Sequence, residues 1–397
     1  MSATVARAEK NSSIALTLMP IMGVIFVGFL VIGLALPVLP LHVHDGLGLG
    51  PFVVGLVTGS QFAASLVARV WSGRIADTHG PKRAVVAGLA AAVVAGLIYL
   101  LSTAFVATPQ FSASILLAGR AVLGGAESFI ITGATAWGLA RVGTPHAGKV
   151  IAWMGTAMFA AFAAGAPLGT ALYERGGFIA VVLATAFTPF VTLLLIVPLH
   201  GAAPAHKGSP KFLAVVGLIW LPGLAAALSS IGFGALITFS ALLFSAHQWE
   251  PVWLAFTAYA VALIVARLLF GHLPDRHGGA KVALLCVIIE TAGLGLIGLA
   301  PNVTLAATGA ALTGLGYALT FPGFGVEAVR RAPPESRGVA MGAYTACLDL
   351  ALGISGPGLG IVASQAGLSA VFLVGALVVL CAAGIAVRLL SHPRLSA

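Results

Sequence analysis

Charge is what this chain has least of. Asp, Glu, Lys and Arg make up 8% of its 397 residues, where a soluble domain carries about 25%. Hydrophobic residues make up 59%. Such a composition cannot cover a soluble surface, and it points to a chain that crosses a membrane many times. Acidic residues are scarcer still, 11 against 20 Lys and Arg. Cysteine is almost missing. Cys286, Cys347 and Cys381 all fall inside apolar runs, which excludes an exposed disulfide framework, and their spacing is not that of metal ligands. They read as small apolar packing residues.

Long polar segments are lacking as well. The central one, 200–211, holds Pro204, Lys207, Ser209 and Pro210 and is too short for a catalytic or nucleotide-binding module. Gly143 to Lys149 matches the first seven places of a phosphate-binding loop, but Val150 stands where Ser or Thr is needed and no strand precedes it. Gly46, Gly48 and Gly50 lack the strand–helix setting of a dinucleotide site. No His/Asp/Ser constellation suggests an intramembrane enzyme. The expectation is a non-enzyme with no cofactor and no metal, driven by an ion gradient rather than directly by ATP. The first apolar run is too long for the core of a cleavable signal peptide.

What the chain has is glycine, proline and long apolar runs. Its 50 Gly and 21 Pro are tolerated in bundled membrane helices. Runs of about 20 residues, long enough to span, lie near 15–40, 51–72, 83–106, 112–140, 147–172, 177–199, 212–245, 252–273, 281–300, 303–329, 338–364 and 369–390. That predicts an all-α membrane protein of twelve transmembrane helices. Arg7, Lys10, Arg74, Lys82, Arg83, Arg141, Lys149, Lys207, Lys211, Arg276, Lys281, Arg330, Arg331, Arg337, Arg388 and Arg394 all fall on one side. The other side's loops hold Asp45, Glu174, Glu250 and the single cation Arg175. The positive-inside rule then places both termini in the cytoplasm. The net charge of +9 reflects topology and anionic membrane lipid, not nucleic acid.

One charged segment occurs twice. Gly73-Arg74-Ile75-Ala76-Asp77-Thr78-His79-Gly80-Pro81-Lys82-Arg83 recurs 198 positions later, with Gly271, Asp275, Gly278 and Lys281 in place of Gly73, Asp77, Gly80 and Arg83. The arginine four residues upstream repeats too, as Arg69 and Arg267. A repeat at half the chain length predicts two similar halves, 1–199 and 212–397, joined by the 200–211 linker. The glycines suit a tight turn. Asp77 and its repeat Asp275 suit a conformational latch, pairing with a neighbouring helix in one state and releasing in another.

These residues carry a resemblance. Gly73–Arg83 resembles the signature between helices 2 and 3 of the major facilitator superfamily, and the second copy after helix 8 matches it in part. Arg120-Ala121-Val122-Leu123-Gly124-Gly125-Ala126-Glu127 resembles the family's helix 4 signature. Gly165-Ala166-Pro167-Leu168-Gly169 resembles its antiporter signature in helix 5, departing at Ala166 and at Thr170-Ala171. The resemblance implies two six-helix halves that alternate access to a midplane site. It implies a secondary transporter of the bacterial inner membrane, similar to drug and sugar efflux members. The expected partners are a small-molecule substrate, protons and membrane lipid, and the expected state is a monomer. Proton-coupled uptake of a sugar or organic acid, and a transport-inactive receptor, stay open as alternatives.

Charges inside helices are costly, about 2.5–3.5 kcal/mol each on insertion scales. Arg120 and Glu127 share one face of helix 4 but stand about 10.5 Å apart in height, too far to pair. Each therefore needs its own partner or water. A carboxyl's proton affinity rises with burial and falls beside a cation, which makes Glu127 the first candidate for proton coupling. Arg120 is placed to modulate that proton or to hold an anionic group. Asp349 in helix 11 is a further pathway candidate, while Glu290 in helix 9 reads as a structural partner. Phe29, Gln61, Trp153, Phe233, Phe239, Tyr259, Tyr317, Phe321 and Tyr344 are the polar or aromatic substrate candidates, with Gln61, Phe233, Tyr317, Phe321 and Tyr344 foremost. Pro167 and Pro357 are expected at gating bends. His42, His44 and Asp45 read as a solvated loop.

Overall fold

A computed structural model describes residues 2–143, 146–204, 212–333 and 336–391. Lys207, Lys211 and Arg394 lie outside them, as does most of the expected linker. The described residues form helices α1 (Ser2–Leu41), α2 (Pro51–His79), α3 (Pro81–Thr103) and α4 (Pro109–Val142). The next element, Ala147–Ile196, is broken at Gly177, whose φ of 64° and ψ of −165° are not helical. Its arms, 147–176 and 178–196, are α5 and α6. Then follow α7 (Phe212–Ala246), α8 (Leu254–Phe270), a short helix Leu273–His277, α9 (Gly279–Gly298), α10 (Val303–Arg331), α11 (Arg337–Ala366) and α12 (Leu368–Ser391).

Ten of the described elements are long and apolar enough to cross a membrane, and Leu254–Phe270 is a shorter apolar helix. With the break at Gly177 these trace the twelve expected crossings. An even number of crossings returns α12 to the side where α1 starts, here called the terminal side. Proline opens α2, α3 and α4, at the helix position where its missing N–H costs nothing. Asn302 caps α10, its side chain accepting from Leu305 N at 2.9 Å.

The repeated segment departs from the expected loop. α2 does not stop at residue 72 but runs two turns further to His79, so Gly73 and Asp77 are helical. One glycine costs a helix about 1 kcal/mol, too little to end it. The stop is Gly80, with φ 96°, followed by Pro81. The second copy turns at Gly278 with φ 92°, but α8 ends earlier, at Phe270. The reason is one residue: Pro274 stands where the first copy has Ala76. A helix continued through Pro274 would lose a hydrogen bond and drive the ring against the Phe270 carbonyl.

Glycines set the helix contacts. A Cβ on Gly124 in α4 would overlap the Gln61 carbonyl oxygen of α2, and a Cβ on Gly314 in α10 would overlap the Tyr259 carbonyl oxygen of α8. Gln61 and Tyr259 are 198 positions apart, the offset of the repeated segment, so the two halves use one packing register. Between the halves, α2 packs on α11 and α5 on α8. Gly55 meets Gly356, Gly59 meets Gly353, and Gly360 meets Pro51. All three contacts lie in the parts of α2 and α11 away from the terminal side. There too, residues 31–43 of α1 and 232–244 of α7 are buried without a break. Towards the terminal side the same two helices expose Leu16, Met19, Trp220 and Leu224. The glycine contacts between the halves thus cluster at the end away from the terminal side.

Candidate functional site

Three charged residues of the membrane region, Arg69, Glu127 and Asp349, gather around α2. Gln61 is fully buried, and its Nε2 donates to Glu127 Oε2 at 2.7 Å. This bond exists because Gly124 lets α2 and α4 touch backbone to backbone, one turn from Glu127. Two turns further along α2, Arg69 crosses to the other half and forms an ion pair with Asp349 of α11. Its Nε donates to Asp349 Oδ2 at 2.9 Å. Glu127 lies within electrostatic reach of Asp349, Arg69 and Arg120. Below this layer, Ser72 contacts Ser128 at 3.1 Å and Thr132 at 3.3 Å, continuing the polar α2–α4 seam.

Arg120 sits apart from that pair. It is 1% exposed and lies beside the Tyr99 hydroxyl of α3. Its Nε and Nη1 have no hydrogen-bond partner, and among the described residues no carboxylate pairs with it. As expected from their spacing, Arg120 and Glu127 do not pair.

The second half carries rings where the first carries charge. Glu127 aligns with Tyr317 and Gln61 with Tyr259. Phe233 of α7 stacks on Tyr259 at 5.5 Å and on Tyr317 at 5.7 Å. Tyr317 OH contacts Ser230 at 3.1 Å. Phe321 and Tyr344 form a second ring pair at 4.8 Å, with the Tyr344 hydroxyl donating to the Phe321 carbonyl at 2.5 Å. The foremost substrate candidates therefore fall into three places: Gln61 with the carboxylate, Phe233 with Tyr317, and Phe321 with Tyr344. Glu290 is fully buried and accepts from Ser229 at 2.7 Å, a contact between α9 and α7 behind the ring stack.

The gating prolines separate. Pro357 lies in the contact between halves, 3.1 Å from where a Cβ of Gly59 would sit. Pro167 lies within the first half, where Gly165 and Gly169 press on Gly33 and Leu34 of α1. Of the latch residues, Gly80 makes the turn, while Asp77, Arg83 and Asp275 are exposed. Among the described residues neither aspartate forms an ion pair.

One expectation is overturned. His42 is not in a solvated loop but 7% exposed, on a π-helical turn, His42–Gly46, that continues α1. Its ring stacks on Phe178 at 3.8 Å. The Gly177 break, in a backbone region that suits only glycine, brings Phe178 to that place. Sequence reasoning also missed the partner of Asp349. Arg69 was visible only as one of a repeated pair. Its twin Arg267 sits in α8 over the Phe159 ring of α5, 4.8 Å from the centroid, and its Nε donates to the Ala318 carbonyl at 3.2 Å. Aligned by their prolines, Pro167 and Pro357, Phe159 stands at the place of Asp349.

Charged groups buried at mid-depth, contacts between halves clustered at one end and a repeated register are the anatomy of an alternating-access carrier. The sequence profile of the Major Facilitator Superfamily matches residues 21–255 and 223–396. The chain belongs to this family of transporters. An MFS-type transporter of Salmonella typhimurium is 40% identical over 378 residues, covering 95% of this chain and 97% of the relative. The YhhS MFS-type transporter of Escherichia coli K12 is 41% identical over 369 residues, 93% and 91% of the two chains. Among solved structures, a nucleoside transporter NupG variant superposes with a TM-score of 0.77 at 14% identity, covering 94% of this chain and 99% of its own. A D-xylose-proton symporter gives 0.76 at 13% identity, with coverages of 94% and 96%. The protein is therefore a multi-pass membrane transporter of the MFS fold, of a class that is not enzymatic and moves small molecules.

Proposed function

We propose that this transporter exports a small organic solute from the bacterial cytoplasm in exchange for protons. The terminal side faces the cytoplasm, where its basic loops belong, and the halves 1–199 and 212–397 rock as two bodies. The observation that carries the reading is the position of Glu127. Its carboxylate is held by Gln61 and lies in the field of Arg69, the residue that ties the halves together through Asp349.

Two carboxylates share the field of one arginine. A proton arriving on Glu127 removes one of the two negative charges and leaves Arg69 to Asp349 alone. Substrate binding and proton binding then bias the same contact between halves, which is the requirement for coupling. Arg120, with unused donors, holds an anionic group or water on the proton's route. The aromatic second half offers flat apolar faces, which suit an amphipathic or cationic solute. Phe233, Tyr317 and Tyr344 are packed in this state, so a solute reaches them as the halves move. Asp77 and Asp275 close the cytoplasmic side when that movement brings them partners. The unit is the monomer, and no role for nucleic acid follows from the basic charge.

Purified protein in liposomes with an internal pH-sensitive dye tests this reading. Cationic drugs and sugars are screened under an imposed proton gradient. Substrate-dependent proton flux that runs opposite to the solute, and that vanishes in Glu127→Gln, is the expected result. Flux running with the solute would replace antiport by symport. Undiminished flux in the variant would remove Glu127 from the coupling.

A further inference from the structure

A groove of about 690 Å³ lies on the outer flank of the first half, at the terminal side. Its rim carries Lys82 and Arg83 at the start of α3, and its wall is Val86, Ala87 and Ala90 of the same helix with Val197 after α6. No carboxylate lines it.

Three features define what fits there. The first is level. α3 has 23 residues, about 34 Å of helix, little more than the roughly 30 Å hydrocarbon core. Its first turn must therefore sit at the lipid headgroups, while Ala87 and Ala90 lie about 6 and 10 Å deeper. The second is shape. Arg83, Ala87 and Ala90 are exposed along one stripe of α3, and the two alanines leave a track open towards the bilayer. The third is charge. Lys82 spends two of its N–H groups on the Val197 and Leu199 carbonyls, at 2.7 and 2.5 Å. That fixes its ammonium at the rim with one donor left. Arg83 is exposed, and among the described residues no carboxylate pairs with it.

The repeat supplies an internal control. The twin groove beside Lys281 in the second half is about 230 Å³ and is lined by Glu327 as well as Arg330 and Arg331. Arg331 donates to Glu327 at 2.8 Å there, so a carboxylate of the protein itself lies among the twin's cations. The first-half groove keeps Arg83 at the place of Lys281, adds Lys82 where the twin has Ala280, and has no carboxylate among its described lining residues.

We propose that this groove is a binding site for an anionic phospholipid, with the headgroup phosphate on Lys82 and Arg83 and an acyl chain along Ala87 and Ala90. The lipid would staple the start of α3 to the segment following α6, next to the Gly80 turn. Basic pockets between membrane helices take such headgroups on general electrostatic grounds. The site does not depend on what the carrier transports.

Full-length protein in zwitterionic detergent micelles is titrated with phosphatidylglycerol or phosphatidylcholine, and retained lipid is counted by native mass spectrometry. Wild type should retain phosphatidylglycerol selectively. Lys82→Gln with Arg83→Gln should lower that retention about tenfold, while Lys281→Gln with Arg330→Gln in the twin leaves it unchanged. A second variant, Ala87→Phe, keeps the cations and fills the track, and should also lose lipid. Elution as a single peak with unchanged helical content certifies each variant as folded. Equal retention of both lipids, or retention untouched by the Lys82 and Arg83 changes, overturns the proposal. So does displacement by soluble glycerol phosphate at equal concentration, which would make the groove a free phosphate site.

Discussion

Arg69 of α2 and Asp349 of α11 are 280 positions apart in sequence, and yet they form the ion pair that joins the two halves near mid-depth. Arg267, the twin of Arg69, meets Phe159 instead. One of the two symmetric contacts between halves is therefore ionic, and the other is a cation over a ring. The ionic one lies within reach of Glu127, the carboxyl on which the proposed coupling rests.

Breaking it has a defined consequence. Asp349→Asn leaves Arg69 a neutral acceptor, and Arg69→Gln leaves Asp349 without its cation. Each is expected to lower proton-driven transport tenfold or more, since losing one partner of a buried pair leaves the other charge uncompensated, at about 3–5 kcal/mol. The double variant should be less impaired than the two losses combined, with a coupling of about 0.5–3 kcal/mol in thermal stability. Strict additivity would mean that the pair is not an energetic unit. Phe159→Leu in the twin contact should cost stability, by about 0.5–2 kcal/mol, and leave the pH dependence of transport unchanged.

The repeated segment makes a sharper test of its own geometry. Gly73 is helical and a Cβ there meets nothing within 4 Å. Gly73→Ala should raise stability by about 0.5–1 kcal/mol. Gly80 has φ 96° and ψ 147°, a region open essentially to glycine alone, and Gly80→Ala should lower stability by about 1–3 kcal/mol. Thermal unfolding in detergent separates the two. A loop conformation across the whole segment would instead make both substitutions neutral or harmful. Transport by Gly73→Ala then tells whether that glycine serves motion: an intact rate makes it a bystander of the signature.

Much of this molecule is legible in its sequence. The scarcity of charge, the twelve apolar runs and the segment repeated 198 positions on give the helices and the family, because membrane insertion and helix stops are local physics. The site is only half legible. Arg120, Glu127 and Asp349 stand out, since a charge in an apolar run is costly wherever it points. Their partners do not stand out, because Gln61 and Arg69 are chosen by helix contacts that a single sequence does not print. α2 was cut short at residue 72 for a related reason. Hydropathy falls at Gly73–His79, but a helix needs only hydrogen bonds and tolerable residues to continue out of the membrane. His42 reads as solvent-facing because His44 and Asp45 follow it closely at the end of an apolar run. The Gly177 break that brings Phe178 onto it lies 135 positions away in the chain.

The shared packing register gives the last prediction. Gly124 and Gly314 occupy twin places, each against a carbonyl of the facing helix, Gln61 or Tyr259. A methyl group at either must push α4 from α2, or α10 from α8, and overpacking of this kind costs about 1–3 kcal/mol. Stability should therefore fall to a similar degree in Gly124→Ala and Gly314→Ala. Function should not. Gly124 sits one turn from Glu127 and holds Gln61 within 2.7 Å of it, so Gly124→Ala is expected to weaken that bond and shift the pH dependence of transport. Gly314 holds a ring against a ring, and Gly314→Ala should alter substrate affinity while the pH profile stays in place. Equal effects on both readouts from the two variants would mean that the halves do not divide the labour, and that the charge in one and the rings in the other are packing choices alone.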